Sequence, residues 1–260
     1  MSRSDWKLGL SVYMNAMNDE SLEALAQAGI YELELCGPRT MNLFNYPTRN
    51  KELSRLAASH GITISSLHLP FVDAHPAVRD ADLRKTFVDV QSTLIRSAAE
   101  AGVSIAVLHP SAEPYKEDER EMRLSLAIET VGKLTDVATA CGITLALENL
   151  PRTCLCRTSD EMRRFLDAIP DLRACFDTNH NLIEDNLDYL RAVADRLVTL
   201  HVSDYDRIDE KHWLPLQGVN DWSAILSTLE EINYQGRFLY ETIEKTPSRI
   251  RENFDLLITK

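Results

Sequence analysis

Four side chains of metal-binding type close four successive strand-like runs: Glu148 ends ITLALE, Asp177 ends LRACFD, His201 ends RLVTLH and Glu241 ends GRFLYE. Carboxylates and imidazoles are what divalent cations take, and a mixed oxygen and nitrogen set of this kind suits Mn²⁺, Co²⁺, Mg²⁺ or Zn²⁺. An acid at the end of an apolar run is partly buried, and buried acids are paired or bind a cation. Delivered from neighbouring parallel strands, the four would converge on one point, which reads as an active site.

Further candidates lie at the same edge. His68 in LHLP and His109 in LHPS end two earlier runs. In Asp177-Thr178-Asn179-His180 an imidazole follows an acid by three residues, placed to bond a ligand or hold a second metal, or else to sit at the surface beside a helix cap. Arg207, after His201, can return to the pocket and bind substrate oxygens, or belong to a solvated charged loop. Arg152, four residues after Glu148, is either a ligand-binding cation or a structural salt-bridge partner for that acid. The pair Cys154 and Cys156 is weak as a zinc motif without a second pair, and free thiols are the better reading. His60, at a helix end before Gly61, reads as structural.

These groups need a scaffold that aligns strand ends. Short β-rich runs alternate with longer helical patterns along the whole chain, the signature of a parallel sheet with helical crossovers. Strands are expected at Leu8–Tyr13, Tyr31–Leu35, Thr63–His68, Ile105–His109, Thr144–Leu147, Ala174–Phe176, Leu197–His201 and Phe238–Tyr240. Helices are expected between them, with Asp19, Ser21 and Ser159 as opening caps and Lys116 starting the fourth. Gly29, Gly61, Gly102 and Gly142 each stand between a helix and an apolar strand, where a helix-terminating glycine belongs. Eight such units predict a single (β/α)₈ TIM barrel domain over residues 1–260, whose functional groups gather at the carboxyl ends of the strands. Phe44, Tyr46, His75, Tyr115 and Trp213 on the loops of that face can wall a pocket.

Bulk composition narrows the function. The chain has 260 residues, 44% hydrophobic and 26% charged, enough for one large core. Its 28 basic and 40 acidic residues leave a net charge of −12, which repels phosphate backbones and argues against a nucleic-acid partner. No run approaches the roughly 20 apolar residues of a membrane span, and the polar start MSRSDWK lacks a secretory apolar region. A cytoplasmic protein with no membrane partner is expected, its five scattered cysteines unpaired.

From about Leu8 to Leu257 the chain resembles the xylose isomerase-like superfamily of (β/α)₈ barrels, which includes sugar phosphate isomerases and epimerases, ketose 3-epimerases, inosose-processing enzymes and, more distantly, endonuclease IV. The resemblance implies one divalent metal ion held by Glu148, Asp177, His201 and Glu241. It also implies a small-molecule carbohydrate substrate and a possible homo-oligomer. Ketose epimerases carry an arginine four residues after the first Glu, a DTxH turn and an arginine six residues after the metal His, matched here by Arg152, His180 and Arg207. Where relatives read PGxG this chain reads Pro215-Leu216-Gln217-Gly218. His68, His109 and His212, with Glu210, are similar to the extra ligands with which endonuclease IV holds three zinc ions.

The implied reaction is isomerisation or epimerisation of a ketose or keto-sugar through an enediolate, with Glu148 and Glu241 as the acid/base pair. His68, His109, Arg152, His180, Arg207 and His212 would bind substrate. Two alternatives keep the same site: a metal-dependent dehydratase or lyase on a keto-sugar or inosose, and an endonuclease IV-like phosphodiesterase.

Overall fold

The structure is a computed structural model that describes residues 3–37, 46–71, 75–112 and 115–260. Eight strands alternate with eight helices among the described residues: β1 (Lys7–Tyr13), α1 (Asp19–Gln27), β2 (Glu32–Cys36), α2 (Tyr46–Ser59), β3 (Thr63–His68), α3 (Ala81–Glu100), β4 (Ile105–Leu108) and α4 (Arg120–Ala140) in the first half. The second half holds β5 (Thr144–Glu148), α5 (Ser159–Ala168), β6 (Arg173–Asp177), α6 (Asn186–Val193), β7 (Leu197–Val202), α7 (Trp222–Glu231), β8 (Arg237–Tyr240) and α8 (Pro247–Leu257). All neighbours pair in parallel, and β8 returns to β1 with Lys7 opposite Arg237, closing the (β/α)₈ barrel.

The rhythm follows from local chemistry. Gly29, Gly61, Gly102 and Gly142 adopt φ of 72°, 72°, 80° and 73°, a conformation that costs glycine nothing and ends α1, α2, α3 and α4 in turn. Helix α1 is opened by a reciprocal capping box in which Ser21 N–H donates to Asn18 Oδ1 and Asn18 N–H donates to Ser21 Oγ. The cap is therefore Asn18 and not Asp19. Ser159 lies inside α5 and gives its N–H and hydroxyl to Glu184, while Thr158 takes the cap position. Glu117–Glu119 form a 3₁₀ turn, so α4 begins at Arg120, later than the expected Lys116. Phe44 lies outside the described residues, as does the side chain of Tyr46.

Strand period sets the direction of every functional group. The small apolar residues Val107, Ala146 and Cys175 form their own fully buried cluster inside the barrel. Two residues further along the same face of each strand come His109, Glu148 and Asp177. The larger core packs between strands and helices, with Leu33, Leu67, Phe165, Phe176 and Leu226 fully buried. Register shifts opposite Leu33/Glu34 and Ala174/Cys175 leave one extra residue on the partner strands, Ser65 on β3 and Val198 on β7, next to the strands that carry Glu34 and Asp177, as bulges near a functional rim do to re-aim side chains.

The stretch after β7 is held by Asp204. Its backbone bridges Trp213 in both directions, its Oδ2 accepts the Trp222 indole N–H at 2.9 Å, and its Oδ1 accepts the N–H of Asn220 at 3.2 Å. Gly218 packs so closely here that a Cβ would run into the Asp204 carboxylate and the Tyr205 carbonyl. The glycine retained from the PGxG pattern thus serves loop packing. Gly218→Ala is expected to lower stability by about 1–3 kcal/mol, the range for overpacking, with a matching drop in Tm. A thermal midpoint equal to wild type would show that the loop has slack.

Candidate metal centre and active site

Glu148 is the hub of the rim. Fully buried at the end of β5, its Oε1 lies 2.9 Å from His201 Nδ1 and 3.5 Å from His180 Nδ1. Its Oε2 lies 3.2 Å from His68 Nε2 and 3.0 Å from His109 Nε2. His201 Nδ1 is also 3.0 Å from Glu241 Oε2 and 3.9 Å from Asp177 Oδ2. The four residues expected as metal ligands do meet, one donor atom from each lying within 4.8 Å of the others. Glu148 does not pair with Arg152, which reaches across to Asp209 at 2.5 Å and Glu210 at 2.8 Å.

The electrostatics fit a cation. Asp177 Oδ2 is buried with no hydrogen-bond partner and Glu241 Oε2 has only the His201 ring nitrogen at 3.0 Å, in a poorly aligned contact, an arrangement that carboxylate oxygens seldom keep unless an ion takes their lone pairs. Burial and the Glu241 and Glu148 charges push Asp177 up to about 6, against the pull of His180. Burial also opposes ionisation of Glu148 and Glu241, yet the imidazoles, His201 foremost, hold both carboxyls below their usual range. His201 itself is lifted well above its ordinary value despite burial, because Cys175, Glu34, Glu148 and Glu241 crowd around it. His68 rises to about 9 and His180 to about 10 in the same acidic surroundings, again against burial. In the metal-free protein, protonated imidazoles balance the buried acids.

Backbone contacts fix these side chains. Asn149 Oδ1 accepts the Asp177 N–H at 2.6 Å, its Nδ2 donates to the Asp177 carbonyl at 2.9 Å, and its carbonyl lies 2.9 Å from His180 Nδ1. Asn179 Oδ1 accepts the N–H groups of Lys211 and His212, tying the turn after β6 to the loop after β7. His212 Nδ1 then meets the Glu241 carbonyl at 3.0 Å. Arg152, Arg207 and His212 all take positive φ, of 54°, 60° and 50°, a costly backbone state for such residues and one that clusters at functional loops.

Two further ligand groups flank the centre: His68, His109 and Glu148 on one side, and His180, Glu210 and His212 on the other. Together with Phe71, which stacks on His109 at 4.2 Å, all of them except the buried His68 line a cavity of about 690 Å³. Arg152 and His75 also line it. Arg207 is not among its walls; its guanidinium stands half-exposed 3.6 Å from Asp185. Cys154 and Cys156 are buried free thiols and enter no ligand group among the described residues. His60 pairs with Asp19 at 3.0 Å, away from the site. No helix among the described residues is long and apolar enough to cross a membrane.

Glu34 was not among the sequence candidates. It is fully buried on β2, with Oε1 3.0 Å from His201 Nε2 and Oε2 accepting the Ser66 hydroxyl at 2.9 Å. Its signal is faint, an acid alternating with leucine in YELELC. Outer partners of a ligating histidine raise its basicity and orient it, and losing one costs about 10–100-fold in metal affinity. Glu34→Gln is therefore expected to weaken Mn²⁺ or Zn²⁺ binding by about that factor in chelator competition; unchanged affinity would remove Glu34 from the centre.

Metal binding must also displace protons. The lone pair at His201 Nδ1 is available only once its raised pKa is overcome, so affinity should rise with pH through neutrality and binding at pH 7 should release protons. Calorimetry in buffers of different ionisation enthalpy reads this directly. Binding without proton release would mean that His201 is already neutral.

A sequence profile of the family described as "Xylose isomerase-like TIM barrel" matches residues 22–260. An uncharacterized protein of Methanocaldococcus jannaschii is 26% identical over 244 residues, covering 89% of this chain and 82% of its own. The D-psicose 3-epimerase of Ruminiclostridium cellulolyticum is 24% identical over 242 residues, covering 89% and 80%. Among solved structures, a D-tagatose 3-epimerase-like protein superposes with a TM-score of 0.85 at 22% identity, over 97% of both chains. The 3-keto-D-glucoside 4-epimerase of E. coli does so with a TM-score of 0.77 at 19% identity, over 98% of this chain and 100% of that one.

Proposed function

The chain belongs to the xylose isomerase-like TIM barrel family, and from that premise we propose that it is a divalent-metal-dependent isomerase or epimerase of a ketose or keto-sugar. The observation that carries this reading is the approach of two glutamates to one point from separate strands. Glu148 Oε1 and Glu241 Oε2 lie 2.9 and 3.0 Å from the same His201 nitrogen. Relatives named as D-psicose 3-epimerase and 3-keto-D-glucoside 4-epimerase support the reaction class.

Glu148, Asp177, His201 and Glu241 would hold the ion. Once bound, a cation such as Mn²⁺, Co²⁺, Mg²⁺ or Zn²⁺ supplies Lewis acidity that makes the C–H beside a sugar carbonyl easier to ionise. Glu148 and Glu241 are the acid/base pair in this scheme: one takes the proton from carbon to give the enediolate, and the other returns a proton from the opposite face. Glu241 is the more open of the two, its side chain 25% exposed toward the cavity against 1% for Glu148. His109, His180 and His212 offer hydrogen bonds to sugar oxygens, whereas His68, expected among them, is buried with its two ring nitrogens on the Leu69 carbonyl and Glu148 and so acts through that acid; Arg152 steadies the far wall through Asp209 and Glu210. Arg207 would need to leave Asp185 to join them. The same proton removal followed by loss of a leaving group would give the dehydratase or lyase outcome.

One observation favours a second reading. Two of the three ligand groups share Glu148, the third being His180, Glu210 and His212, and together they could hold three ions, an arrangement suited to phosphodiester hydrolysis. The net charge of −12 weighs against a nucleic-acid substrate. Three ions per chain and salt-sensitive nicking of an abasic duplex would favour this alternative; one ion and no nicking favour the sugar enzyme.

With metal content verified by mass spectrometry, Glu148→Gln and Glu241→Gln are each expected to lower turnover by at least about 10²–10⁴-fold. Both should also stop deuterium uptake into a bound ketose from heavy water. Near-normal exchange in either variant would sink the two-glutamate scheme.

A further inference from the structure

Two cavities open at the carboxyl ends of the strands and meet at Tyr13, His212 and Glu241, which line both. The larger, about 690 Å³, is lined by Glu148, His109, His180 and His212. The smaller, about 370 Å³, lies by the ends of β1, β2 and β8, where Val12, Cys36, Ile243 and Lys245 wall it. Each falls within the roughly 300–1,000 Å³ of small-molecule sites. A ligand whose reacting carbon sits at Glu241 thus has room on two sides.

Lys245 carries the charge of the smaller lobe. The residue is exposed, and its ammonium donates to the Ser11 carbonyl at 2.8 Å in a half-buried contact beside the lobe. An ammonium has three donors. Among the described residues no carboxylate comes within ion-pair distance of it, which leaves two donors for something else. Burial pulls its pKa down against the attraction of Glu241, Cys36 and Glu34. Arg152, the other cation on the cavity walls, is engaged by Asp209 and Glu210.

Building on the sugar-epimerase reading, we infer that the Lys245 lobe is a recognition subsite for a carboxylate carried by the substrate, making the preferred substrate an acidic keto-sugar. A hydroxyl would satisfy only hydrogen bonds, whereas a carboxylate adds a charge-assisted pair with the ammonium. The neighbouring helix end is already taken. Thr246 N–H, at the start of α8, donates to Glu244 Oε1 at 2.9 Å, and Glu244 pairs with Arg249 at 2.6 Å. A point charge without a cradle of backbone N–H groups suits a monoanion better than a phosphate.

The test is calorimetric binding of D-fructuronate and D-tagaturonate, beside neutral D-fructose and D-tagatose, to the metal-loaded protein. Wild type should bind at least one acid tenfold or more tighter than its neutral counterpart. Lys245→Met should abolish that preference and leave affinity for the neutral sugars unchanged, and Lys245→Arg should restore part of it. Equal affinities in wild type, failure of both acids to bind, or a Lys245→Met loss shared equally by acids and neutral sugars would each overturn the subsite. Deuterium uptake into the bound acid is read separately. Lys245-dependent binding without exchange would refute the epimerase reading and leave the subsite standing.

Discussion

Four carboxylates, those of Glu34, Glu148, Asp177 and Glu241, surround the single imidazole of His201 at the mouth of a closed barrel, and most of what the upper half of the molecule does is a response to that crowding. An ion pair at about 4 Å contributes about 4 kcal/mol at an effective dielectric near 20. Burying each charge costs several kcal/mol. One imidazolium cannot offset four buried acids on those terms, so His68 and His180 are drawn into protonation and Asp177 is pushed toward neutrality. A divalent ion supplies the missing positive charge at one point and lets the imidazoles give up their protons. The proposed cation would thus replace a costly set of protonations.

Such a cluster holds together only if its parts cannot relax apart. The barrel supplies this through register: Asp177 lies opposite His201, and Glu148 opposite Cys175, so neighbouring strands present their acids and imidazole at adjacent levels. Asn149 and Asn179 finish the job with buried side-chain amides that bind the backbone of Asp177 and of His212. A site built on strand ends and braced in this way keeps its geometry better than one carried on free loops.

The convergence of Glu148, Asp177, His201 and Glu241 was readable in the sequence because each ends a run of β-forming apolar residues, where a polar side chain has few reasons to be. The boundaries moved slightly: Glu148 and Asp177 are the last residues of their strands, and His201 precedes Val202 within β7. Glu34 escaped notice for the opposite reason. It sits inside a strand, and its alternation with leucine resembles a half-solvated face until closure of the barrel turns that face inward. Lys245 was equally hidden, since a lysine in the turn TIEKTP looks like ordinary surface charge and only the fold brings its ammonium back to Ser11. Arg207 shows the limit of spacing arguments, because a positive-φ turn decides where its guanidinium goes and spacing does not register φ.

The pairing of Arg152 with Asp209 and Glu210 bears on how the site is assembled. Arg152 belongs to the loop after β5 and its partners to the loop after β7, so the contact closes a gap between segments that share no strand pairing. Glu210 also lies 3.2 Å from His180 Nε2, and its pKa falls to about 2, with the His180 contact the main favourable cause and Arg152 adding to it against burial. A chain of alternating charge therefore runs from Arg152 through Glu210 to His180 and on to Glu148. Breaking it at Arg152 would leave Glu210 to be balanced by His180 alone, in competition with Glu148 and Asp177 for the same imidazolium. The strained backbone at Arg152 and His212 is best understood in this light: the left-handed turns place both residues where the two loops can be stitched to the metal centre, and the charge chain offsets the strain.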